Sequence, residues 1–337
     1  MLTPRPLRLG VLGCADVARR RILPAVLALP EVELVALASR DLAKARAFSR
    51  EFGGEAVEGY QRVLARDDVD AVYVPLPSGL HAEWVRAAIH AGKHVLSEKP
   101  LTTNLAETRE LVALARSAGV VLRENFMFVH HSSHQRVREI LDSGVLGALR
   151  SFSATFTIPA RPAGDIRHRR ELGGGALLDV GAYPLRAAQL FLGPELTVVG
   201  AALHEDEVLG VDIGGAVLLR RDDGVTAQLT FGLDHRYTSG YRLLGSVAEL
   251  SASHVFTPGA DHRPVIRVEG QDRHEDHVLP AQDQCVNAVR AFVRAVLEGP
   301  RTDDSIVAQA ALVDRSRFLA QGHVGVRVAN EPLPERA

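Results

Sequence analysis

A chain of 337 residues is too long for one ordinary domain and comfortable for two, and 46% hydrophobic with 24% charged residues is enough to bury real cores. The net charge of −2 excludes a general nucleic-acid binder, because no overall positive field draws in phosphate backbones. With Cys14 and Cys285 as its only cysteines it has neither a disulfide framework nor a cysteine-rich metal site, and no metal is expected. No apolar run is long enough to span a bilayer, and residues 1–6 lack the apolar segment of a secretory signal, so a cytoplasmic protein without a membrane partner is expected.

The first third alternates short apolar runs with helical patterns, which predicts a doubly wound parallel sheet with crossover helices. Strands are expected at 7–12, 33–39, 71–75, 93–97 and 120–122, with helices through Leu42, Ala45 and Phe48, over 82–90 and over 105–118. Strands this apolar, without alternation, belong to a sheet covered on both faces. The character changes after about Arg123, so residues 1–122 form one expected domain and 123–337 another. A helix at 134–143 precedes 150–158, where Phe152, Ala154, Phe156 and Ile158 alternate with Ser and Thr. That period of two marks a sheet with one wet face. Further strands are expected at 196–203, 213–220, 225–231 and 241–250, and a helix at 283–297. The second domain is therefore read as α+β around a largely antiparallel sheet, and with no linker between them the domains are expected to pack directly.

Gly13-x-Ala15-x-x-Ala18 follows the first strand and keeps the first glycine of the dinucleotide fingerprint, with small residues at the other two places. Gly13 takes the tight turn, Ala15 permits close phosphate approach and Ala18 lets the helix pack near the strand. The N–H groups of Cys14, Ala15, Asp16 and Val17 then face a pyrophosphate. The second strand ends in Ser39-Arg40 where an NAD enzyme tends to carry a carboxylate. A hydroxyl and a guanidinium suit a 2′-phosphate and favour NADP, while Asp41, one residue on, keeps NAD open.

Lys99 ends the fourth strand between Glu98 and Pro100, on the edge where such sheets bind ligands, and the proline restrains its backbone. Downstream, the glycine-rich run 171–176 leads into an apparent helix on which Asp179 and Tyr183, four apart, share a face. A nearby ammonium lowers a phenol's pKa, and the carboxylate orients the phenol or binds a sugar hydroxyl. Arg161, Arg167, Arg169 and Arg170 precede the glycines; substrate diphosphate is a candidate for the group, and a solvated loop is preferred for Arg169 and Arg170. His130, His131 and His134 lack acidic partners at ligand spacing, so interior or sugar contact is preferred to a metal.

These pieces resemble the glucose–fructose oxidoreductase, inositol dehydrogenase and rhizopine-catabolism (Gfo/Idh/MocA) family over nearly the whole chain. The resemblance rests on the strand–loop start, Pro77-Ser78-Gly79-Leu80-His81, Glu98-Lys99-Pro100 and the segment from Asp179 to Tyr183. It implies a Rossmann domain followed by an α+β domain with an open-faced sheet, assembly into a homodimer or homotetramer, and a Lys99 that approaches the reacting carbonyl. The family's usual histidine is Tyr183 here. That tyrosine, Asn125-Phe126-Met127-Phe128 and Pro162-Ala163-Gly164-Asp165-Ile166-Arg167 resemble the branch that reduces dTDP-linked 3-keto-6-deoxyhexoses with NADPH in deoxysugar biosynthesis. The expected catalytic set is Lys99, Tyr183 and Asp179. The expected cofactor set is Gly13, Cys14, Ala15, Asp16, Val17, Ser39, Arg40, Leu76, Pro77, His81, Glu98, Lys99 and Arg167.

Lys99 is expected to polarise the ketone oxygen and Tyr183 to deliver the proton, and from sequence alone the two can exchange roles. Two alternatives share the cofactor loop. A reductase or dehydrogenase of free sugars or cyclic polyols would prefer unlinked substrates. A non-catalytic NADP-binding sensor would bind the nucleotide without oxidising it.

Overall fold

The computed structural model describes residues 5–299 and 303–322, so residues 1–4, 300–302 and 323–337 of the two expected domains lie outside it. Its first sheet has six strands in the order Glu55–Glu58, Val32–Ser39, Leu7–Leu12, Ala71–Val74, His94–Glu98, Leu122–Asn125, all parallel. Both faces are covered, as the unbroken apolarity requires. Leu9, Val11, Tyr73 and Leu96 point into one core and Leu12, Val72, Val74 and Val95 into another. Strand order reverses between Leu7–Leu12 and Ala71–Val74, and the crevice at their carboxyl ends is where such sheets receive ligands. Gly13, Leu76, Pro77 and Lys99 all follow strands at that edge.

The second sheet has eight strands, in the order His274–Val278, Val265–Gly270, Ala248–Ser253, Thr238–Gly245, Leu149–Thr157, Thr226–Gly232, Val211–Arg220, Thr197–Asp206. Every pair is antiparallel except the central Leu149–Thr157 with Thr226–Gly232. Its inner face carries Phe152, Ala154, Phe156, Leu229 and Phe231 against residues of helices Ser132–Asp142 and Ala182–Leu192. Phe152 and Phe231 are wholly buried, each contributing roughly 2–3 kcal/mol relative to an exposed ring. The outer face is polar and holds a shallow open groove of about 540 Å³ lined by Ser153, Thr155, Arg242, Ser251 and Arg267 among others.

The structure departs from the sequence expectations in five places. The expected strand 241–250 is two strands, Thr238–Gly245 and Ala248–Ser253, because the chain turns at Ser246-Val247, where a side chain on Gly245 would collide with the backbone of Leu146. Strands Glu55–Glu58, Val265–Gly270 and His274–Val278 were not expected; they are short and largely polar, and the first and last of them form sheet edges. The expected domain change at 122/123 falls inside strand Leu122–Asn125 of the first sheet. Helix Gln284–Glu298, capped by Asp283, returns to the first domain, where Cys285, Val289 and Phe292 pack with Val11, Ile22 and Tyr73.

Helix Asp304–Gly322 was likewise unexpected and joins the two domains. Ile306 lies in a first-domain core, while Leu312 and Val313 lie in the second. Its buried face includes Gln309 and Ser316, whose side chains bond the carbonyls of Ala182 and Leu312, and polar residues there blur the apolar stripe. No helix among the described residues is long and apolar enough to cross a membrane.

Candidate active site

The segment after Leu12 turns as its residues dictate. Gly13 adopts φ +128°, its N–H bonds the Ala38 carbonyl at 3.0 Å, and a Cβ there would lie 2.8 Å from Leu76 Cδ2. A helix begins at Asp16 and continues to Leu27 through a π turn at Ala18–Ile22, just before Pro24, which lacks the N–H an α-turn uses. The first-turn N–H groups of that helix have no intrahelical acceptors and open toward the crevice, a cradle for a diphosphate. Cys14 is buried, its Sγ 3.8 Å from the Ala38 carbonyl, and burial pushes its thiol up to about 11, so it packs as a small neutral residue.

The end of the second strand separates Ser39, Arg40 and Asp41 by role. Ser39 is buried, and its Oγ accepts from the Asp41 N–H at 3.2 Å. Asp41 caps helix Leu42–Phe52, accepting from the N–H groups of Ala43 and Lys44. Its carboxylate is thus committed to the helix and not to a ribose hydroxyl. Arg40 stands at the surface on a cleft of about 430 Å³ shared with Tyr60, Leu80 and Trp84. The Tyr60 and Trp84 rings meet edge to face at 4.8 Å. The residues present fit NADP: a glycine turn, first-turn donors of the following helix, and a surface guanidinium, Arg40, on a cleft that Arg62 shares and that Glu58 and Glu83 also line. Tyr60 and Trp84 were not singled out from sequence, although Trp84 is the chain's only tryptophan.

Two of the expected cofactor residues lie beneath the site and not at its surface. His81 is fully buried, with Nδ1 2.8 Å from the Pro100 carbonyl and Nε2 2.7 Å from that of Leu76. It ties the loop after the third expected strand to the loop that carries Lys99. Glu98 is buried and accepts from Tyr73 Oη at 2.8 Å and Asn125 Nδ2 at 2.7 Å. Burial raises its pKa against those two donors.

Lys99, Asp179, Tyr183 and Arg167 come together across the two domains. Lys99 Nζ donates to Asp179 Oδ1 at 2.8 Å and to the Asp179 carbonyl at 2.7 Å, and lies 4.9 Å from the centroid of the Tyr183 ring. The other Asp179 oxygen accepts from Arg167 Nε, and Arg167 also pairs with Asp165 at 3.1 Å. Burial alone would raise the Asp179 carboxyl, yet Lys99 and Arg167 outweigh it and hold it far below the usual carboxylate range. Burial also works against the Lys99 charge, and Asp179 and Tyr183 more than restore it, so its pKa is raised. Burial pushes the Tyr183 phenol up to about 12, with Lys99 opposing. The expected lowering by a nearby ammonium is therefore corrected: in this apolar surround desolvation is the larger effect.

The second-domain side of the site is shaped by residues that sequence reading passed over. Asp179 sits on a π turn, Leu177–Gly181, that continues into helix Ala182–Leu192, which carries Tyr183 in its first turn. Asp212 Oδ2 accepts from the Leu177 N–H at 2.6 Å and holds the start of that turn. Gly181 lets the helix lie on Phe231, since a Cβ there would sit 3.0 Å from the ring. The Gly173–Gly175 run wraps Arg167, with the Gly175 N–H bonding the Arg167 carbonyl at 2.9 Å. Ser78 Oγ reaches the Gly173 carbonyl at 3.1 Å, so Pro77-Ser78-Gly79 docks the first domain on the glycine run.

Other candidates stand apart. Arg169 pairs with Glu171 at the surface, and Arg161 and Arg170 are exposed. His134 is buried against Tyr241 Oη at 2.9 Å, and His131 Nδ1 accepts from the Ser133 N–H. No cluster among the described residues could hold a metal.

Comparison with known proteins agrees with this architecture. Residues 7–126 match the oxidoreductase family with an NAD-binding Rossmann fold, and residues 134–251 match the GFO/IDH/MocA C-terminal domain. The chain is 54% identical over 316 residues to a dTDP-3,4-didehydro-2,6-dideoxy-alpha-D-glucose 3-reductase of Actinomadura kijaniata, spanning 93% of this chain and 95% of that one. A reductase of the same description from Streptomyces violaceoruber is 53% identical over 330 residues, 94% of this chain and 96% of its own. A crystal structure of a 3-ketoreductase from A. kijaniata with NADP and TDP-benzene superposes with a TM-score of 0.91 at 53% identity, covering 94% of this chain and 98% of that one. The chain belongs to the Gfo/Idh/MocA oxidoreductase family.

Proposed function

We propose that the chain is an NADPH-dependent reductase of the C-3 ketone of dTDP-linked 3-keto-6-deoxyhexoses. The observation that carries this is the part-buried Lys99–Asp179–Arg167 chain beside Tyr183, at the carboxyl edge of a sheet whose glycine turn fits a dinucleotide. The relatives support the substrate class. The enzyme from A. kijaniata has been crystallised with TDP-benzene in lysine and tyrosine variants whose altered positions are spaced as Lys99 and Tyr183 are here.

NADPH bound on the Gly13 turn and beside Arg40 supplies the hydride. The residues do the rest. Lys99 keeps its proton because Asp179 compensates its burial, and it places a positive charge where negative charge grows on the ketone oxygen. Tyr183 keeps its proton because burial disfavours the phenolate, and it is the group we assign to protonate that oxygen. Asp179 and Arg167 position the lysine and are not consumed. A cytoplasmic setting and assembly into a homodimer or homotetramer through the open sheet face complete the proposal; light scattering showing only monomer at high concentration would remove the assembly.

The deciding experiment follows NADPH absorbance with an enzymatically generated dTDP-3-keto-6-deoxyhexose, beside free ketosugars and polyols. Rapid oxidation only with the nucleotide-linked sugar is expected, whereas turnover confined to free sugars overturns the substrate class. Arg40→Ala is expected to raise the KM for NADPH about 10- to 100-fold while leaving that for NADH within about threefold, because only the 2′-phosphate loses a charge-assisted partner. Equal loss with both cofactors would place the 2′-phosphate elsewhere.

A further inference from the structure

Strand Leu122–Asn125 runs beside His94–Glu98, with Glu124 opposite Ser97 and Asn125 opposite Glu98. Lys99 leaves the sheet at this point, so the last two residues of the neighbouring strand flank its exit. Asn125 Nδ2 donates to Glu98 Oε1 just before the lysine. Just after it, Pro100 has no N–H, which makes the Leu101 N–H the first backbone donor beyond Lys99. Glu124 Oε1 accepts from that N–H at 2.8 Å.

Stability alone is a poor account of this glutamate. It is buried, and its Oε2 finds no hydrogen-bond partner among the described residues. A buried carboxyl with an unpartnered oxygen costs free energy that an apolar residue of the same size does not. Burial pushes its pKa up to about 7; Arg186 and Lys99 oppose that rise and Asp303 adds to it. Neutral or ionised, the carboxyl keeps an oxygen that accepts from Leu101, so the hold persists across this change. Further ties take the Pro100 carbonyl to His81 and the Thr103 carbonyl to Arg317, and leave the Leu101 N–H to Glu124. The loop also has room to shift, because a gap of about 10 Å³ lies between Pro100, Leu101 and Thr102 and the residues Gln309 and Asp314 of helix Asp304–Gly322.

We propose that Glu124 is a positioning residue for ketone reduction: by accepting the Leu101 N–H it fixes the backbone beyond Lys99, and so the place of the ammonium at the ketone oxygen. The inference rests on the function proposed above. It is tested by following NADPH oxidation with the dTDP-linked ketosugar in Glu124→Gln, Glu124→Met and Glu124→Asp, with Tm measured beside it. Glutamine keeps the acceptor without the charge and is expected to stay within about threefold of wild-type kcat. Methionine fills the same space without an acceptor, and aspartate keeps the charge but falls one methylene short of Leu101, so one test remains if the other variant does not fold. Both are expected to lose about 10- to 100-fold in kcat, with the KM for NADPH within about threefold of wild type. In a Lys99→Ala background the same two substitutions are expected to cost no more than about threefold, because no ammonium remains to be misplaced. A folded methionine or aspartate variant with wild-type kcat, a glutamine variant as slow as these, or equal losses with and without Lys99 each overturn the proposal alone. Wild-type protein inactive with every ketosugar overturns the proposed function, and the role of Glu124 with it.

Discussion

Lys99→Ala is expected to lower kcat for ketone reduction by about 10²- to 10⁴-fold while leaving NADPH affinity within about threefold of wild type. The lysine side chain is only 10% exposed, and its ammonium lies 4.9 Å from the centroid of the Tyr183 ring, where a charge is less screened than in bulk water. Its loss leaves Asp179 paired with Arg167, so the carboxylate is not stranded and the protein is expected to fold. Single-turnover measurement of NADPH oxidation beside a cofactor titration separates the two effects. A variant that keeps near-wild-type kcat would remove Lys99 from the chemistry.

The role assigned to Asp179 predicts a pH signature. The carboxylate is the main influence that keeps Lys99 protonated; burial and Arg167 both favour the neutral amine. With Asp179→Asn the lysine pKa falls, so activity that depends on the ammonium is lost as pH rises through that lowered value. The variant's kcat profile acquires an alkaline limb at lower pH than any limb of the wild type. A variant slowed equally at every pH would make Asp179 a substrate-binding group.

Tyr183→Phe is the second large effect, with kcat expected to fall about 10²- to 10⁴-fold. Only the hydroxyl is removed. The ring stays packed edge to face against Phe126 at 5.5 Å and Phe156 at 4.9 Å, so Tm is expected to hold within about 2 °C. In the wild type a phenol pushed up to about 12 and a lysine raised above its ordinary value both carry their protons at neutral pH. A proton donor works below its pKa, so wild-type kcat is expected to be flat between about pH 6 and 9. A phenylalanine variant with wild-type kcat would hand proton delivery to Lys99 alone.

Much of this site is legible along the chain because its signals are local. Gly13 follows an apolar strand, Arg40 ends the second, Lys99 is held before Pro100, and Asp179 and Tyr183 stand a helical turn apart; each depends on neighbours only a few residues away. The alternation at Phe152, Ala154 and Phe156 likewise announces a half-wet sheet before any contact is known.

What the sequence could not decide depends on partners distant along the chain. That helix Gln284–Glu298 rejoins the first sheet, that Asp212 holds the turn bearing Asp179, and that Asp41 is committed to a helix are outcomes of packing. So are the charge states. Tyr183 beside an ammonium reads as a lowered phenol, and only its burial among Phe126, Phe128 and Phe156 reverses the sign. Residue types and spacing determined which groups could do the chemistry. Desolvation, which exists only once distant segments close over a site, sets the direction of their pKa shifts and with it the roles proposed for them.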